Sequence, residues 1–208
     1  MKTRLLSFDQ VEVAAELLMQ GEVVAMPTDT VYGVGVNPFD AAAIDALYEV
    51  KERPAEKGIP VLLSDKSQLE RVSTVRPTPR LQRLIDRFWP GALTLIVPKK
   101  WELPDNISSN DGIAVRVPDH VETQRLISLA GGALAVSSAN LSGQPPATSA
   151  EMVSASLDGR ISAILDGGTL PGALPSTIID CRTEDFKILR QGPLSAETLF
   201  EDDHAWAD

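Results

Sequence analysis

The sequence predicts an α/β domain with a mixed sheet, and three observations carry that expectation. Short apolar runs of strand length alternate with amphipathic helical stretches along most of the chain. After residue 158 the strand-like runs stand close together, which makes part of the sheet antiparallel. The composition, 208 residues with 43% hydrophobic and 23% charged, is that of an ordinary globular protein with enough core for one domain.

Taken in order, Ser7 or Asp9 caps a first helix whose apolar face is Val13, Ala14, Leu17 and Leu18, and Gly21 ends it in a left-handed turn. A strand over 22–26 leads into the Thr28-Asp29-Thr30 turn, and 31–36 reads as the next strand. Asp40 caps a helix carrying Ile44, Leu47 and Tyr48 on one side, which Pro54 forbids from continuing. Further strands are expected at 59–63, 93–97, 114–117, 133–136, 161–165, 177–180 and 186–189. They alternate with helices near 66–71, 79–88, 120–130 and 149–157, the last opened by Thr148-Ser149-Ala150-Glu151 as a capping box. Loops rich in Pro and Gly at 101–112, 142–148 and 167–176 are long enough to be functional. The expected organisation is one catalytic domain over 1–200 and an acidic tail over 201–208 with the composition of a disordered segment.

The chain carries 19 Lys and Arg against 29 Asp and Glu, a net charge of −10, and without the four acids of 201–208 it is still −6. Such a body opposes broad electrostatic capture of nucleic acid, although a local basic cleft is compatible with it. The single Cys181 leaves no intrachain disulfide and no thiolate zinc cage, which fits a reducing cytoplasm, and it reads as a small core hydrophobe. No apolar run approaches a membrane span and no signal peptide is evident, so no membrane partner is expected.

Chemistry concentrates in a few segments. Lys51-Glu52-Arg53-Pro54 follows a helix, and Lys57 adds a third cation within one short, extended loop. A cation at a helix end gains only ~0.3–1 kcal/mol from the helix dipole, so a solvated role stays open for each alone, whereas three converging cations suit a polyphosphate. Ser137-Ser138-Ala139-Asn140 leaves an apolar strand and offers hydroxyl and amide groups that could bond phosphate oxygens or a base edge, or simply form a turn. Arg116 interrupts an apolar strand: either it faces a cleft and an anion, for which a substrate carboxylate would serve, or the strand is an edge and the guanidinium faces water. Ser176 and Arg190 mark the start and end of the last two strands.

No P-loop occurs, and Gly33-Val34-Gly35 lacks the rest of a dinucleotide fingerprint. His120 and His204 are the only histidines; Asp119-His120 reads as a helix cap. Catalysis is therefore expected to rest on positioning and charge stabilisation.

Eight segments together resemble the YrdC/Sua5/TsaC family, the L-threonylcarbamoyladenylate synthases. They are residues 21–33, Lys51-Glu52-Arg53-Pro54 with Lys57, 88–95, 114–117, 138–143, 164–168, Pro175-Ser176-Thr177 and Leu189-Arg190-Gln191-Gly192, in the family's order. The resemblance implies a YrdC-like twisted open mixed β-sheet flanked by helices around a concave cleft. It implies that ATP, L-threonine and bicarbonate or CO2 are joined into threonylcarbamoyl-AMP and pyrophosphate, with Mg2+ accompanying ATP, for the t6A modification at position 37 of tRNA. It implies catalytic roles for Lys51 and Arg53, ATP contacts from Lys51, Arg53, Lys57, Ser138, Asn140 and Arg190, and a threonine seat from Thr30, Arg116 and Ser176, with no protein-held metal.

Several positions depart from the family pattern. Leu62 stands where some members have His, Lys57-Gly58-Ile59 where many have Lys-Pro-Leu, Pro146 where others carry a nucleotide-contacting Ser, and Pro175 in place of a frequent Glu. The chain also ends where longer relatives begin a linker, which implies the short, single-domain form. A transient contact with tRNA or with later t6A enzymes is compatible with this. The competing expectations are a YciO-like paralogue with a different acceptor and an RNA-binding module of the same fold.

Overall fold

A computed structural model of the chain describes residues 2–171 and 174–201. Ten strands form one mixed sheet: β1 (Arg4–Leu6), β2 (Val24–Met26), β3 (Gly33–Val36), β4 (Val61–Leu63), β5 (Leu93–Pro98), β6 (Gly112–Arg116), β7 (Ala133–Ser138), β8 (Ala163–Leu165), β9 (Thr177–Asp180) and β10 (Lys187–Arg190). Among the described residues seven α-helices accompany them: α1 (Val11–Met19), α2 (Ala41–Lys51), α3 (Leu69–Val72), α4 (Pro79–Phe88), α5 (Val121–Leu129), α6 (Ala150–Leu157) and α7 (Ala196–Phe200). The strand order is β1-β8-β2-β3-β7-β4-β6-β5-β9-β10. Strands β8, β6 and β9 run parallel to β2, β4 and β5 respectively, while β2-β3, β3-β7, β4-β7, β5-β6 and β9-β10 are antiparallel. The mixture expected at the C-terminal end therefore extends through the whole sheet.

The two faces of the sheet are covered unequally, and that inequality creates the site. One face meets α2, α4 and α6 through Ile44, Leu47, Leu81, Leu84, Ile85, Val153 and Leu157, packed on Val61, Leu63, Leu93, Leu95, Val97, Val115 and Ile179. The other face is covered by α1 and α5, whose Val11, Ala14, Leu18, Leu126 and Ile127 pack on Val24, Met26, Leu134, Val136 and Leu165. Helix α1 lies against β2 and β8 and α5 against β4 and β7, and the face toward β5, β6 and β9 is left open by these helices. Because side chains alternate between faces, the remaining strands can present polar groups on their open side while keeping a continuous core below.

Local sequence explains most boundaries. Asp40 accepts hydrogen bonds from the Ala42 and Ala43 amides at 2.9 and 3.1 Å and so opens α2. His120 caps α5 through Nδ1, and Gly21 has a φ of +83° where α1 gives way to β2. Three expectations are corrected. A 3-10 turn over Phe8–Gln10 precedes α1 and rotates it, so the buried face is Val11, Ala14, Ala15 and Leu18, while Val13 and Leu17 are only half-buried. The cap of α6 is Ser149, whose hydroxyl accepts from the Met152 amide at 3.3 Å, and not Thr148. Helix α2 ends before Pro54 as expected, but Lys51, expected to follow it, is its last residue, with Glu52 in a left-handed φ of 49° as the cap.

Edge strand β1 and helix α7 are additions to the expected list. Of the acidic segment 201–208 only Glu201 falls among the described residues, where it accepts a hydrogen bond from Arg87 at 2.8 Å; the rest of that segment, with His204, lies outside them. No helix among the described residues is long and apolar enough to cross a membrane.

Candidate active site

The uncovered half of the sheet forms a cleft of about 340 Å3. Its floor follows the period of the strands: Thr94 and Ile96 of β5, Ala114 and Arg116 of β6, Val136 and Ser138 of β7, and Ser176 with Ile178 at β9 each point there as alternate residues. The 28–33 turn, Arg53 with Gly58, and Arg190 complete the wall. A larger cavity of about 580 Å3 lies between α4 and the 181–186 turn, but it contains none of the expected site residues. Cys181, at its edge, is buried, and burial pushes its thiol up to about 12, which makes it a poor nucleophile.

Arg116 sits on an interior strand, so the edge-strand alternative is excluded. It is only 6% exposed, and its guanidinium is held on three sides: Nε donates to the Gly91 carbonyl at 2.8 Å, Nη1 to Thr30 Oγ1 at 3.2 Å, and Nη2 to Asp29 Oδ1 at 2.5 Å. Asp29 is the anionic partner that sequence reasoning missed. Of the five N–H donors of an arginine, two remain for a ligand.

Thr30 is oriented by the same turn. The hydroxyl of Thr28 donates to the Val31 carbonyl at 2.6 Å, accepts from the Thr30 and Val31 amides at 3.1 and 3.3 Å, and lies 3.0 Å from Thr30 Oγ1. Thr30 Oγ1 also accepts from Arg116, which holds this hydroxyl at the cleft wall.

On the far wall, Ser176 Oγ lies 2.7 Å from Thr94 Oγ1, and Arg190 donates to the Ser176 carbonyl at 3.0 Å and to its hydroxyl at 3.3 Å. Thr94, embedded in the apolar run of β5, is a second residue that sequence reasoning missed; a lone hydroxyl alternating with leucines was the available signal. Partial burial, then the nearby Arg116 charge, lowers the Arg190 pKa.

Arg53 forms the opposite wall. It donates to the carbonyls of Lys57 at 2.9 Å and Gly58 at 2.7 Å, and burial lowers its pKa. Among the described residues neither Arg53 nor Arg190 has a carboxylate within ion-pair distance.

Lys51, Lys57 and Asn140 lie elsewhere. Lys51 is 1% exposed and off the cleft lining; Nζ donates to the Ser138 carbonyl and, at 2.6 Å, to the Asn140 carbonyl. Burial and then Arg53 lower its pKa to about 8. The signal for its position was present in Ile44, Leu47 and Lys51, whose i, i+3, i+7 spacing puts the lysine on the buried face of α2. Lys57 is exposed and is not among the residues lining the cleft, and its amide donates to the Pro54 carbonyl at 3.0 Å, so the loop expected to be extended is a turn. Asn140 is buried behind Ser138, its Nδ2 donating to the Leu141 and Gln144 carbonyls at 2.8 Å each.

Leu62, Pro146 and Pro175 all line the cleft. The structure thus gathers Thr30, Arg53, Arg116, Ser138, Ser176 and Arg190 on one surface and puts Lys51 and Asn140 beneath it.

A family model described as telomere recombination, that of the Sua5, YciO and YrdC proteins, matches residues 16–192. A threonylcarbamoyl-AMP synthase of Bacillus subtilis is 42% identical over 195 residues, covering 91% of this chain and 55% of that protein. One from Vibrio parahaemolyticus is 39% identical over 186 residues and is covered over its full length. A crystal structure of Pyrococcus abyssi Sua5 complexed with L-threonine superposes with a TM-score of 0.91 at 35% identity, covering 97% of this chain and 60% of that one. The chain thus spans little more than half the length of the Bacillus and Pyrococcus proteins.

Proposed function

The chain belongs to the Sua5/YciO/YrdC family, and on that premise we propose that it is an L-threonylcarbamoyladenylate synthase supplying the t6A modification of tRNA. The observation that carries the reading is the pair Arg53 and Arg190. In a chain with ten more acids than bases, two arginines on facing walls of one cleft have only carbonyl and hydroxyl partners among the described residues. Arg53, half-buried, and the more exposed Arg190 thus leave cationic groups open to the cleft, which favours an anion there.

In this reading the substrates occupy different walls. The carboxylate of threonine takes the two remaining donors of Arg116, and its polar groups meet Thr30 and Ser176. The triphosphate lies toward Arg53 and Ser138, with Arg190 at the seam, where it can reach the phosphoryl group under attack. The threonine amine takes up CO2, losing a proton, to form a carbamate. A carbamate oxygen then attacks the α-phosphorus, the bond to the β-phosphate oxygen breaks, and pyrophosphate leaves with the electron pair. Starting from bicarbonate, one water is also released. Fixed guanidinium groups stabilise the charge that grows on pyrophosphate, which is how a site without a histidine can work.

The polar side chains of the lining are hydroxyls and guanidinium groups with no carboxylate, and among the described residues no three His, Cys, Asp or Glu side chains cluster. Mg2+ in this proposal therefore enters with ATP, as part of the substrate, and supplies charge neutralisation on its phosphates. A cytoplasmic location and a single catalytic domain over 1–200 belong to the same proposal.

The test is to incubate the protein with ATP, Mg2+, bicarbonate and L-threonine and to follow pyrophosphate and the adenylate. Pyrophosphate should appear only when threonine is present. Release at the same rate without threonine would defeat the proposal.

A further inference from the structure

The grip of Lys51 on the 138–142 segment assigns it a role distinct from a phosphate contact. We infer that Lys51 is a positioning residue, a clasp that builds the nucleotide-side wall by holding the turn after β7 from below. This deepens the proposed nucleotide site and rests on that reading for its ligand.

Three bonds join this one residue to the turn. Nζ donates to the Ser138 and Asn140 carbonyls, while the Lys51 carbonyl accepts from the Ser142 amide at 2.8 Å. A lysine ammonium has three donors and two are engaged here, both by backbone. The turn is closed from its other side by Asn140, whose Nδ2 bonds to Leu141 and Gln144. Asn140 Oδ1 is left buried with no donor among the described residues, an acceptor that the clasp fixes in place. Ser137, Ser138 and Pro146, the parts of this segment that line the cleft, are therefore held by groups that do not line it.

The geometry that separates Lys51 from Arg53 is the left-handed Glu52 between them. Lys51 continues the buried face of α2, the φ of 49° at Glu52 reverses the chain, and Arg53 emerges on the cleft wall. Two cations two residues apart are thereby given different tasks: Arg53 faces the anion and Lys51 faces the backbone.

Lys51→Arg separates the two roles, because it keeps the charge a phosphate would need while the bulkier guanidinium, at a position only 1% exposed, cannot be seated without shifting the turn. Lys51→Met removes the charge together with both side-chain bonds of the clasp. Two measurements are made on each: binding of adenosine, which has no phosphate, beside ATP; and amide hydrogen exchange over 139–144 in the ligand-free protein. The clasp predicts that adenosine affinity falls about tenfold or more in both variants. It also predicts that exchange at these amides speeds up at least tenfold while amides of the central strands are unchanged. Adenosine affinity within twofold of wild type, with ATP affinity lost, would make Lys51 a phosphate ligand and overturn the inference. If wild type binds neither nucleotide, the reading of the site fails, and exchange alone decides the clasp: unchanged protection in Lys51→Arg refutes it. Should Lys51→Met not fold, Lys51→Arg supplies the same comparison.

Discussion

At the scale of single residues, the cleft depends on groups whose charge the fold has made costly. Lys51 is the sharpest case, its pKa lowered from 10.5 to about 8 by burial and then by Arg53. Below pH 8 the folded and unfolded chains both hold this proton, and the folded protein bears the full penalty, about 3 kcal/mol. Between pH 8 and 10.5 folding releases the proton and the penalty is relieved, so this residue's contribution to stability improves as pH rises. A triphosphate bound nearby would raise the pKa again. Calorimetry of ATP binding in two buffers of different ionisation heat should then show proton uptake at about pH 8.5 and none at about pH 6.5; no uptake at the higher pH would mean the triphosphate lies beyond reach of Lys51. Arg116 gives a second prediction. Charge-assisted hydrogen bonds contribute roughly 1.5–3 kcal/mol, so Arg116→Ala should raise the KM for threonine at least tenfold and that for ATP less than threefold. Equal effects on the two substrates would contradict the division of the cleft. The residue types of the site were legible in the sequence, but their partners were not. Arg116 and Asp29 are 87 positions apart, and nothing local to either announces the pair.

At the scale of elements, the site hangs on how short segments are pinned to strand ends. The 190–194 turn is fastened to the start of β9 by Thr177, fully buried, whose hydroxyl donates to the Leu194 carbonyl at 3.0 Å and accepts from the Gly192 and Leu194 amides. Gly192 is obligatory there because a Cβ would stand 2.4 Å from the Pro175 carbonyl oxygen and 2.5 Å from the Thr177 nitrogen, both backbone atoms that cannot swing aside. Gly192→Ala should therefore push the turn off Ser176. The cost should be about 1–3 kcal/mol, a Tm lower by roughly 2–4 °C for each kcal/mol, together with weaker threonine binding. Thermal melts and threonine titration check this; an unchanged Tm would show that the backbone yields easily. Elements with strong periodicity and clear caps, such as α2 and α4, were read nearly to the residue. Strand β1 was not, because three residues with two exposed side chains show no alternation, and its place is decided by pairing with β8, more than 150 residues away. The rotation of α1 was hidden for a related reason: a 3-10 entry shifts phase without any change in composition.

At the scale of the molecule, one sheet does two jobs because its second face is only half roofed. Where α1 and α5 cover it, the strands supply Val24, Leu134 and Leu165 to the core, and where they do not, the same strand alternation supplies Thr94, Arg116 and Ser138 to a cleft. Basic groups are thus concentrated in a recess of about 340 Å3 within a protein of net charge −10. A recess of that size is of the order of a small-molecule site and far too small for a duplex, while the net acidic charge of the chain repels a polyanion that cannot enter. This argues against the RNA-binding module as the primary function and leads to a measurable expectation for tRNA. At about 0.15 M salt, tRNA should bind no more tightly than the non-specific range, roughly 10⁻⁴ to 10⁻⁶ M, and saturating tRNA should leave the affinity for ATP unchanged. Fluorescence anisotropy with labelled tRNA, repeated across a salt series, makes the comparison. Nanomolar binding that survives high salt, or competition between tRNA and ATP, would mean that the cleft belongs to a larger nucleic-acid surface and that the confinement of its cations is not what selects the substrate.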